Sequence, residues 1–294
     1  MINCPLVSVV MPSMNQAEFI DDAITSVLSQ DYPNIELIIA DGSSRQDTLD
    51  ILDCRRRQDP RLRYFSRPDR GPAHAVNDAM DAVRGTFIGW LNSDDLYAPG
   101  AVSRAMAVMA KQPHMLMVYG QGEHVDAHGD SISTYPTLPP PTPVSKFSEG
   151  CFICQPTMFF RRSARILLGP LDEKLKASFD FEYWLRAFSA FPDRIGFVDA
   201  VQAMSRLHDG CITMRMRRTV ALEGMQVLAR HLGSAPKEWL LTYLDELSQQ
   251  DAKENGIADI MAHLHETASV AATWMTQQEQ IELKTLLARR LCRK

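Results

Sequence analysis

The sequence predicts an α/β protein with a doubly wound, mostly parallel sheet, helices on both faces of that sheet, and a helical C-terminal extension. In the first hundred residues, short β-branched apolar runs alternate with helically spaced segments, and the connections between them are short. Such alternation is typical of parallel strands joined by crossover helices. Polar clusters follow three of the runs, and from Met214 onward the apolar spacing is helical to the end.

The first half of the chain is predicted to alternate strands with helices. Each predicted strand is a short apolar run that ends at polar or turn-forming residues. Each predicted helix has apolar residues at three- and four-residue spacing. The strands are predicted at residues 7–11, 35–40, 62–65 and 87–91, and the helices at residues 18–29, from residue 48, and at residues 73–82.

The second half is less regular. Strands are predicted at residues 115–119 and 157–160, with a stiff, proline-rich loop at residues 137–143 between them. A helix is predicted at residues 181–191. Successive helices then follow at residues 222–232, 237–247, 257–272 and 277–291.

The composition argues against several classes of protein. The chain has 294 residues, of which 45% are hydrophobic and 23% charged, the profile of a globular protein rather than a disordered or fibrous one. Its net charge of -5 argues against nucleic acid as a partner. No apolar run approaches the roughly 18 residues that span a bilayer, and the first residues lack the order of a signal peptide. We therefore expect a cytoplasmic protein.

The cysteines are scattered, and a reducing compartment argues against disulfides. Cys151 and Cys154 form a Cys-x-x-Cys pair, but structural zinc needs two further ligands at suitable spacing and no second pair exists. A redox pair would require a thioredoxin-like context at a helix start. We interpret these two cysteines as small, partly buried residues.

Acidic residues occupy the strand ends where glycine-rich phosphate loops are often found. The chain has neither Gly-x-Gly-x-x-Gly after its first strand nor Gly-x4-Gly-Lys-Ser/Thr. Asp94 and Asp95 follow the fourth strand, where they could hold Mg²⁺ or Mn²⁺ together with the phosphates of a ligand. Alternatively, they cap a helix that begins near Pro99. Asp41 could likewise bind a ligand or stabilise a turn.

Several segments resemble, in order, family 2 glycosyltransferases, which have the GT-A fold. They are SVVMPSMNQAEFIDDAITSVLSQDYPNIELIIADGSS, RPDRGPAHAVNDAM, RGTFIGWLNSDDLYAPGA, CQPTMFFRRS, LDEKLKASFDFEYWLR and RLHDGCIT. The resemblance covers residues 5–213 and is specific because so many segments occur in the same order. It implies an inverting transfer from a nucleoside-diphosphate sugar, with a UDP-sugar favoured. The implied acceptor is a saccharide or a lipid-linked molecule, in surface polysaccharide or glycoconjugate synthesis.

The resemblance also implies roles for individual residues and a divalent metal cofactor, Mn²⁺ or Mg²⁺. Asp180 matches the general base that deprotonates the acceptor. Asp95 and His208 match the residues that bind the metal. The nucleotide is expected to contact Pro12, Met14, Asp41, Asp69, Arg70 and Asp94, and the sugar or acceptor is expected to contact Gln155 and Trp184.

Two positions depart from the family pattern. Asn92 stands where many members have Asp, so the first carboxylate of the metal motif is missing, although Asn is common there in one branch of the family. Met14 stands where many members have Tyr, which removes an expected aromatic contact with the base of the nucleotide.

Three other carboxylates and two other functions compete with these assignments. Glu182 is a rival general base, placed two residues after Asp180 and facing away from it on a helix. Asp172 and Glu173 are weaker rivals that we interpret as turn residues. A glycoside hydrolase would use Asp94 and Asp180 on either side of a glycosidic bond. A non-catalytic module would bind the nucleotide sugar without any chemistry.

The chain divides into three predicted parts. Residues 1–110 form the nucleotide-sugar and metal-binding half of a GT-A domain, residues 111–213 its acceptor and catalytic half, and residues 214–294 the helical extension. The last helix ends in basic residues that favour the helix dipole if it packs on the domain. The same helix could instead hold the protein at the inner face of an anionic membrane. These residues are Arg289, Arg290, Arg293 and Lys294.

Overall fold

Nine strands form one sheet within residues 4–250 and 257–291, the part of the chain that the computed structural model describes. The strands are β1 (Val7–Ser13), β2 (Ile35–Asp41), β3 (Leu62–Ser66), β4 (Phe87–Trp90), β5 (Leu96–Tyr97), β6 (Met117–Val125), β7 (Ser131–Thr134), β8 (Phe159–Arg161) and β9 (Ile195–Arg206). The helices are α1 (Ile20–Leu28), α2 (Gln46–Gln58), α3 (Pro72–Asp81), α4 (Ala101–Lys111), α5 (Arg162–Leu168), α6 (Phe179–Ala190), α7 (Ile212–Arg215), α8 (Arg217–Leu232), α9 (Glu238–Gln250), α10 (Ile257–Ala271) and α11 (Gln277–Leu291).

The sheet has a parallel half and a mixed half. Strands β2 and β4 both pair with β1 in parallel, and β3 pairs in parallel with β2. Beyond β4 the order continues β8, β6, β9 and β5. Strand β8 is antiparallel to both β4 and β6, whereas β9 is parallel to β6 and antiparallel to β5. The predicted α/β fold is confirmed, with its parallel pairing concentrated in β1 to β4.

Helices cover both faces of the sheet because successive side chains of a strand point to opposite sides. On β1, Val9 and Met11 lie in the hydrophobic core beneath α1 and α4, whereas Val10 lies in the core beneath α3. A strand between two covered faces is apolar along its length, and every residue of β2 is buried. Polar side chains of these strands are therefore concentrated at the strand ends.

The C-terminal helices complete the core on the α3 side of the sheet. Gly224 on α8 allows a close approach of Trp239 on α9, because a Cβ at position 224 would lie 2.3 Å from the indole ring. The indole packs on Phe181 of α6 with 4.9 Å between ring centroids. Its N–H donates to the carbonyl of Ser148 at 2.8 Å. Helices α8 to α11 thus share one hydrophobic core with α6.

The predicted elements occur within a few residues of their predicted positions, but several further elements were not predicted. These are β5, β7, β9, α5 and the short α7, and α4 was anticipated only as a helix that begins near Pro99. In β9, the residues Gly196, Asp199 and Gln202 interrupt the apolar positions. No continuous β-branched run therefore marks this strand in the sequence.

The basic side chains that are predicted to contact a membrane lie outside the part of the chain that the structure describes. On α11, Ile281 is exposed and Leu283 is buried, so one face of this helix packs on the protein. The side chains of residues 287–291 and the residues 292–294 lie outside the described part, so a role for the terminal basic residues stays a prediction. None of the helices in the described ranges is long and apolar enough to cross a bilayer.

Candidate active site

The carboxyl ends of β1, β2 and β3 lie side by side and carry polar residues. Ser13 is in register with Asp41, and Asp41 is in register with Ser66. Buried Asp41 is held through both oxygens: Oδ1 accepts the Ser66 hydroxyl at 2.6 Å and the Ser44 N–H at 2.9 Å, and Oδ2 accepts the Ser44 hydroxyl. Asp41 therefore has a fixed orientation at the edge where ligands bind in open α/β sheets.

The loops that follow β1 and β2 are bonded to each other. Asn15 has a left-handed backbone conformation with φ of 55°, which Asn adopts more readily than most residues. Its N–H donates to Ser44 Oγ at 2.7 Å, and its side-chain oxygen accepts the N–H of Arg45 at 2.9 Å. This arrangement leaves Pro12 half-buried and Met14 54% exposed at the strand edge.

Asp69 borders the same edge from the segment that follows β3. Gly42 lies against both side chains, because a Cβ at position 42 would lie 2.6 Å from Asp69 Oδ2 and 3.1 Å from Met14 Sδ. Asp69 Oδ1 accepts the N–H of Gly71, the residue before α3, at 2.8 Å. Met14, Asp41 and Asp69, three of the predicted nucleotide contacts, are thus brought together around Gly42.

Asp94 and Asp95 are directed to different partners. His208 Nε2 lies 3.2 Å from Asp94 Oδ2 in a largely buried pair. Asp95 Oδ1 accepts the backbone N–H of Arg206 at 2.9 Å, and its Oδ2 accepts the side-chain amide of Asn92 at 3.1 Å. Burial, followed by the neighbouring Asp94 carboxylate, raises the pKa of Asp95 well above its ordinary value. His208 therefore faces Asp94 and not Asp95.

Arg206, which was not predicted as a site residue, links the backbone at Asp94 to the backbone at Ala127. Its Nε donates to the carbonyl of Asp94 at 2.8 Å, and its Nη1 donates to the carbonyl of Ala127 at 2.6 Å. The guanidinium carbon lies 4.9 Å from the centroid of the Phe19 ring, and that ring packs on His208 at 4.5 Å. The only sequence signal for Arg206 is its position two residues before His208.

The amide at position 92 suits this site better than a carboxylate would. Asn92 Nδ2 donates to Asp95 and, at 2.9 Å, to Gln155 Oε1, while Asn92 Oδ1 accepts the indole N–H of Trp90 at 3.2 Å. Gln155 Nε2 donates back to the carbonyl of Trp90 at 2.8 Å. A carboxylate could accept the indole N–H but could not donate to its two acceptors. This geometry gives a physical reason for Asn92.

Trp184 lies in the core rather than at the surface of the site. Its side chain is fully buried and packs against Trp90 with 6.1 Å between ring centroids. The prediction that Trp184 contacts the sugar or acceptor is therefore corrected: this indole supports the end of β4 from within. Gln155 is also buried, but it borders the site through its bond to Asn92.

Asp180 lies in the first turn of α6 and is half-buried. Its Oδ1 accepts the N–H of Phe181 at 2.7 Å. Burial raises the pKa of Asp180 to about 6, a value that suits a base working near neutral pH. After the larger effect of burial, the Asp180 charge also contributes to the raised pKa of Tyr135, Cys151 and Cys154, so these groups lie beside it.

Cys154 lies near both Asp180 and the acidic pair. Burial raises the pKa of its thiol well above the ordinary value, and Asp95, Cys151 and Asp180 add smaller effects. Gly122 on β6 lies against it, since a Cβ there would be 2.6 Å from Cys154 Sγ. Thiols with a raised pKa stay protonated and are poor nucleophiles and metal ligands. The geometry thus favours the interpretation of this pair as small packing residues.

The rival base Glu182 contacts Arg186 and His231. It is buried, forms an ion pair with Arg186 at 2.7 Å, and lies 3.3 Å from His231 Nε2. It lines a cavity of about 530 Å³ whose lining does not include Asp180. The geometry therefore favours Asp180 over Glu182 as the general base.

Asp172 and Glu173 also have cationic partners. Asp172 forms an ion pair with Arg230 at 2.8 Å. Glu173 forms an ion pair with Arg70 and accepts the side-chain amide of Asn77 at 3.1 Å. Arg70, a predicted nucleotide contact, has a largely exposed side chain. It lies at the margin of the site, tied to Glu173.

The donor atoms at this edge fit a divalent cation that is shared with a ligand. Among the residues described, no group of three or more His, Cys, Asp or Glu could hold a metal ion by itself. Asp94 and His208 nevertheless offer an oxygen and a nitrogen donor 3.2 Å apart. Mg²⁺ and related cations often use one or two protein carboxylates and complete their coordination with substrate phosphates and water. The residues therefore fit a cation bound together with a diphosphate.

Comparison with protein families identifies the chain. A model of glycosyl transferase family 2 matches residues 8–166 of this chain, which is more than half of its 294 residues. The chain belongs to this family. Chondroitin synthase of Escherichia coli is 30% identical over 188 residues, which are 64% of this chain and 27% of that protein. An uncharacterized glycosyltransferase of Rickettsia felis is 26% identical over 219 residues, which are 70% of this chain and 35% of that protein. The family 2 chain thus spans about a third or less of the length of these relatives.

Solved structures share the fold of this family 2 chain. S. aureus TarS in complex with UDP is 16% identical, with a TM-score of 0.63 over 96% of this chain and 87% of that chain. The mannosyltransferase PcManGT from Pyrobaculum calidifontis, in complex with GDP-Man and Mn²⁺, is 19% identical, with a TM-score of 0.60 over 99% of this chain and 81% of that chain. At these identities the likeness shows the fold alone, and the predicted GT-A fold is confirmed.

The family 2 match does not extend to every site residue. It ends at residue 166, so Asp180 and His208 lie beyond it. The assignment of Asp180 and His208 to the site therefore depends on their geometry: His208 on its contact with Asp94, and Asp180 on its proximity to Cys154.

Proposed function

We propose that this family 2 chain transfers a sugar from a nucleoside-diphosphate sugar to an acceptor hydroxyl, with inversion at the anomeric carbon. The observation that carries the proposal is the set of acidic groups at one edge of the sheet. Asp41 ends β2, Asp94 and Asp95 follow β4, and His208 follows β9 to meet Asp94. Asp180 borders the same site from the start of α6 through its proximity to Cys154.

The nucleoside end of the donor is assigned to the carboxyl ends of β1 and β2. The fixed Asp41 carboxylate and the exposed Met14 side chain border this position, with Asp69 beside them. Met14 offers an apolar, polarizable surface to a base ring in place of an aromatic side chain. A UDP-sugar is the favoured donor. TarS is described with UDP and with UDP-GlcNAc, whereas PcManGT is described with GDP-Man.

The diphosphate end is assigned to Asp94 and His208, which would hold Mn²⁺ or Mg²⁺. When bound, such a cation offsets the negative charge of the departing nucleoside diphosphate. The sequence alone favoured Asp95 as the direct ligand and gave Asp94 to the nucleotide. We now assign the ligand role to Asp94, because Asp95 is already bonded to the Arg206 N–H and to Asn92. Asp95 and Arg206 position the corner that presents Asp94.

Asp180 is the proposed base for the transfer step. Its carboxylate takes the proton of the acceptor hydroxyl, and the acceptor oxygen forms a bond to the anomeric carbon. The bond from that carbon to the diphosphate oxygen breaks on the opposite face, and the electron pair leaves with the nucleoside diphosphate. A pKa of about 6 leaves Asp180 largely ionised at neutral pH and therefore able to accept this proton.

The acceptor is proposed to be a saccharide or a lipid-linked saccharide, in synthesis of a surface polysaccharide or glycoconjugate on the cytoplasmic side of the membrane. The relative named chondroitin synthase supports a polysaccharide product. Membership of a glycosyl transferase family argues against the glycoside hydrolase alternative.

The proposed function is tested first by binding and then by turnover. Nucleoside-diphosphate sugars containing UDP, GDP or dTDP, and a CMP-sugar, are added with and without Mn²⁺, and the melting temperature is recorded. A ligand at a hundred times its dissociation constant stabilises the fold by about 2.7 kcal/mol. We expect Mn²⁺-dependent stabilisation by one class of donor, followed by slow release of its nucleoside diphosphate to water. Stabilisation by no donor, or hydrolysis of an aryl glycoside instead, would overturn the proposal.

A further inference from the structure

A carboxylate from the C-terminal extension binds the backbone directly in front of the helix that carries Asp180. Glu223 lies on α8, beyond the segments that resemble the family. Its Oε1 accepts the N–H of Lys176 at 2.8 Å. Its Oε2 accepts the N–H of Ala177 at 2.8 Å and the N–H of Ser178 at 3.0 Å. One side chain thus satisfies three consecutive backbone donors.

These three donors lie directly before the start of α6. Ser178 is the residue that precedes the first turn of α6, and Asp180 lies in that turn. The Ser178 hydroxyl donates to the carbonyl of Val220 on α8 at 3.2 Å, which adds a second tie between the same two elements. Successive N–H groups that point at one anion, next to a helix N-terminus, form a favourable site for a negative charge. The carboxylate of Glu223 supplies that charge from within the chain.

The extension also contacts α6 on the C-terminal side of Asp180. Phe181, the residue after Asp180, packs against Trp239 of α9. Gly224 beside Glu223 allows that indole to approach α8 closely. The residues on both sides of Asp180 are therefore held by α8 and α9.

We infer that Glu223 is a positioning residue for the transfer reaction, through which the helical extension sets the place of Asp180 relative to the acceptor. This inference rests on the proposed function and gives the extension a role in it. Glu223 does not touch the reacting atoms; it acts through the backbone of residues 176–178. An error of about 1 Å in the position of a catalytic group can cost about a hundredfold in rate.

The test compares Glu223→Gln with Glu266→Gln in the full chain. Glu266 lies on α10 of the same extension, is exposed, and pairs with Arg218 without touching residues 176–178. A glutamine at 223 keeps one oxygen acceptor but turns an NH₂ group toward backbone N–H donors. The readouts are release of nucleoside diphosphate from the donor found by the melting screen, its pH profile, donor affinity, and hydrogen exchange of peptides covering residues 175–182. Glu223→Asp, which keeps the charge on a shorter arm, is the second variant.

We expect Glu223→Gln to release nucleoside diphosphate about tenfold to a hundredfold more slowly with unchanged donor affinity, and to exchange residues 175–182 faster. Tyr135, Cys151 and Cys154, whose raised pKa values include a contribution from the Asp180 charge after the larger effect of burial, stay neutral at neutral pH. As the proposed base, Asp180 is expected to contribute to the acidic limb of the pH profile. Looser packing exposes its carboxylate to water, so that limb should move to lower pH in the variant. Glu223→Asp should recover part of the rate, and Glu266→Gln should match the wild type.

Two results would overturn the inference. One is a wild-type rate and wild-type exchange at residues 175–182 in Glu223→Gln. The other is a general loss of stability and donor affinity with an unmoved pH limb, which would make Glu223 merely structural. If the wild type releases no nucleoside diphosphate from any donor, the proposed function fails. Hydrogen exchange tests the inference separately in that case. Unchanged exchange of residues 175–182 in Glu223→Gln would show that the Glu223 carboxylate does not stabilise the start of α6.

Discussion

At Asp180 two local effects act in opposite directions on one carboxyl group. Burial favours the neutral form, whereas the N–H of Phe181 favours the charged form, and the pKa settles at about 6. Asp180→Asn keeps the shape of the side chain but cannot accept a proton. We expect release of nucleoside diphosphate to fall by about 10² to 10⁴, with donor affinity preserved. Steady-state rates and calorimetry with the same donor check this prediction.

Glu182→Gln is the matched control for that experiment. Loss of the carboxylate weakens the contacts with Arg186 and His231, so the melting temperature should fall while the rate per folded molecule stays close to that of the wild type. An inactive Glu182→Gln beside an active Asp180→Asn would move the base to Glu182.

Asn92→Asp should destabilise the metal-free protein in a pH-dependent way. The new carboxylate would face buried Asp95 and the Oε1 acceptor of Gln155, to both of which Asn92 now donates. A buried acid in this setting has a raised pKa in the folded state, so stability is lost as pH rises through that pKa. We expect a loss of about 1–3 kcal/mol at pH 8 and a smaller loss at pH 5, measured by thermal unfolding in EDTA. Asn34→Asp is the control, since exposed Asn34 donates only to the carbonyl of Cys4. An equal loss for both variants at both pH values would contradict this account.

For individual residues, the sequence predicted which residue types lie at the site better than it predicted which side chains contact each other. The acids at the strand ends could be predicted, because a polar residue that ends an apolar run stands out. Which of Asp94 and Asp95 meets His208 depends on the direction of a short turn, and sequence spacing does not encode that direction. Trp184 was misassigned because an indole in a site-like segment looks the same in sequence whether it lines a cleft or supports it from behind. Glu223 carried no signal, since its partners are backbone N–H groups.

At the scale of elements, Gly224 decides how closely α8 and α9 approach. A Cβ at this position would lie 2.3 Å from the Trp239 ring, and a rigid indole packed on Phe181 has little room to move. We expect Gly224→Ala to lower the free energy of unfolding by about 1–3 kcal/mol through overpacking, although Ala favours helix more than Gly does. Urea denaturation measures the change, with Gln226→Ala on the same helix as control. A more stable Gly224→Ala would show that the close contact is absent in solution.

The predictable elements are those that follow a single periodicity. The strands β1, β2 and β4 are mostly apolar because both faces of the sheet are covered there, and helices α1 and α3 show one apolar stripe each. Strand β9 escapes prediction because it pairs with different neighbours along its length, β6 throughout and β5 near its end. Tertiary pairing, rather than local propensity, makes β9 a strand.

At the scale of the whole molecule, the fold places the proposed nucleotide site and the proposed base on different parts of the chain. The edge proposed to bind the donor is built by β1, β2 and β4, within the region matched by the family. The proposed base Asp180 lies on α6, which contacts helices that follow that region. The predicted boundary at residue 213 therefore does not coincide with a gap in the hydrophobic core.

Removing the extension should consequently unfold the domain rather than trim it. A chain that ends after residue 213 loses the Glu223 and Trp239 contacts together with fully buried Met225, Leu228 and Leu240. Each fully buried large apolar side chain contributes about 1.5–3 kcal/mol, and a typical domain has a net stability of only about 5–15 kcal/mol. We expect the truncated chain to lack a cooperative thermal transition and to bind a hydrophobic dye, whereas a control chain ending at Leu291 unfolds like the full chain. If the chain ending after residue 213 melts cooperatively near the temperature of the full chain and binds the donor, the extension is an independent unit, and the assignment of a shared core with α6 is wrong.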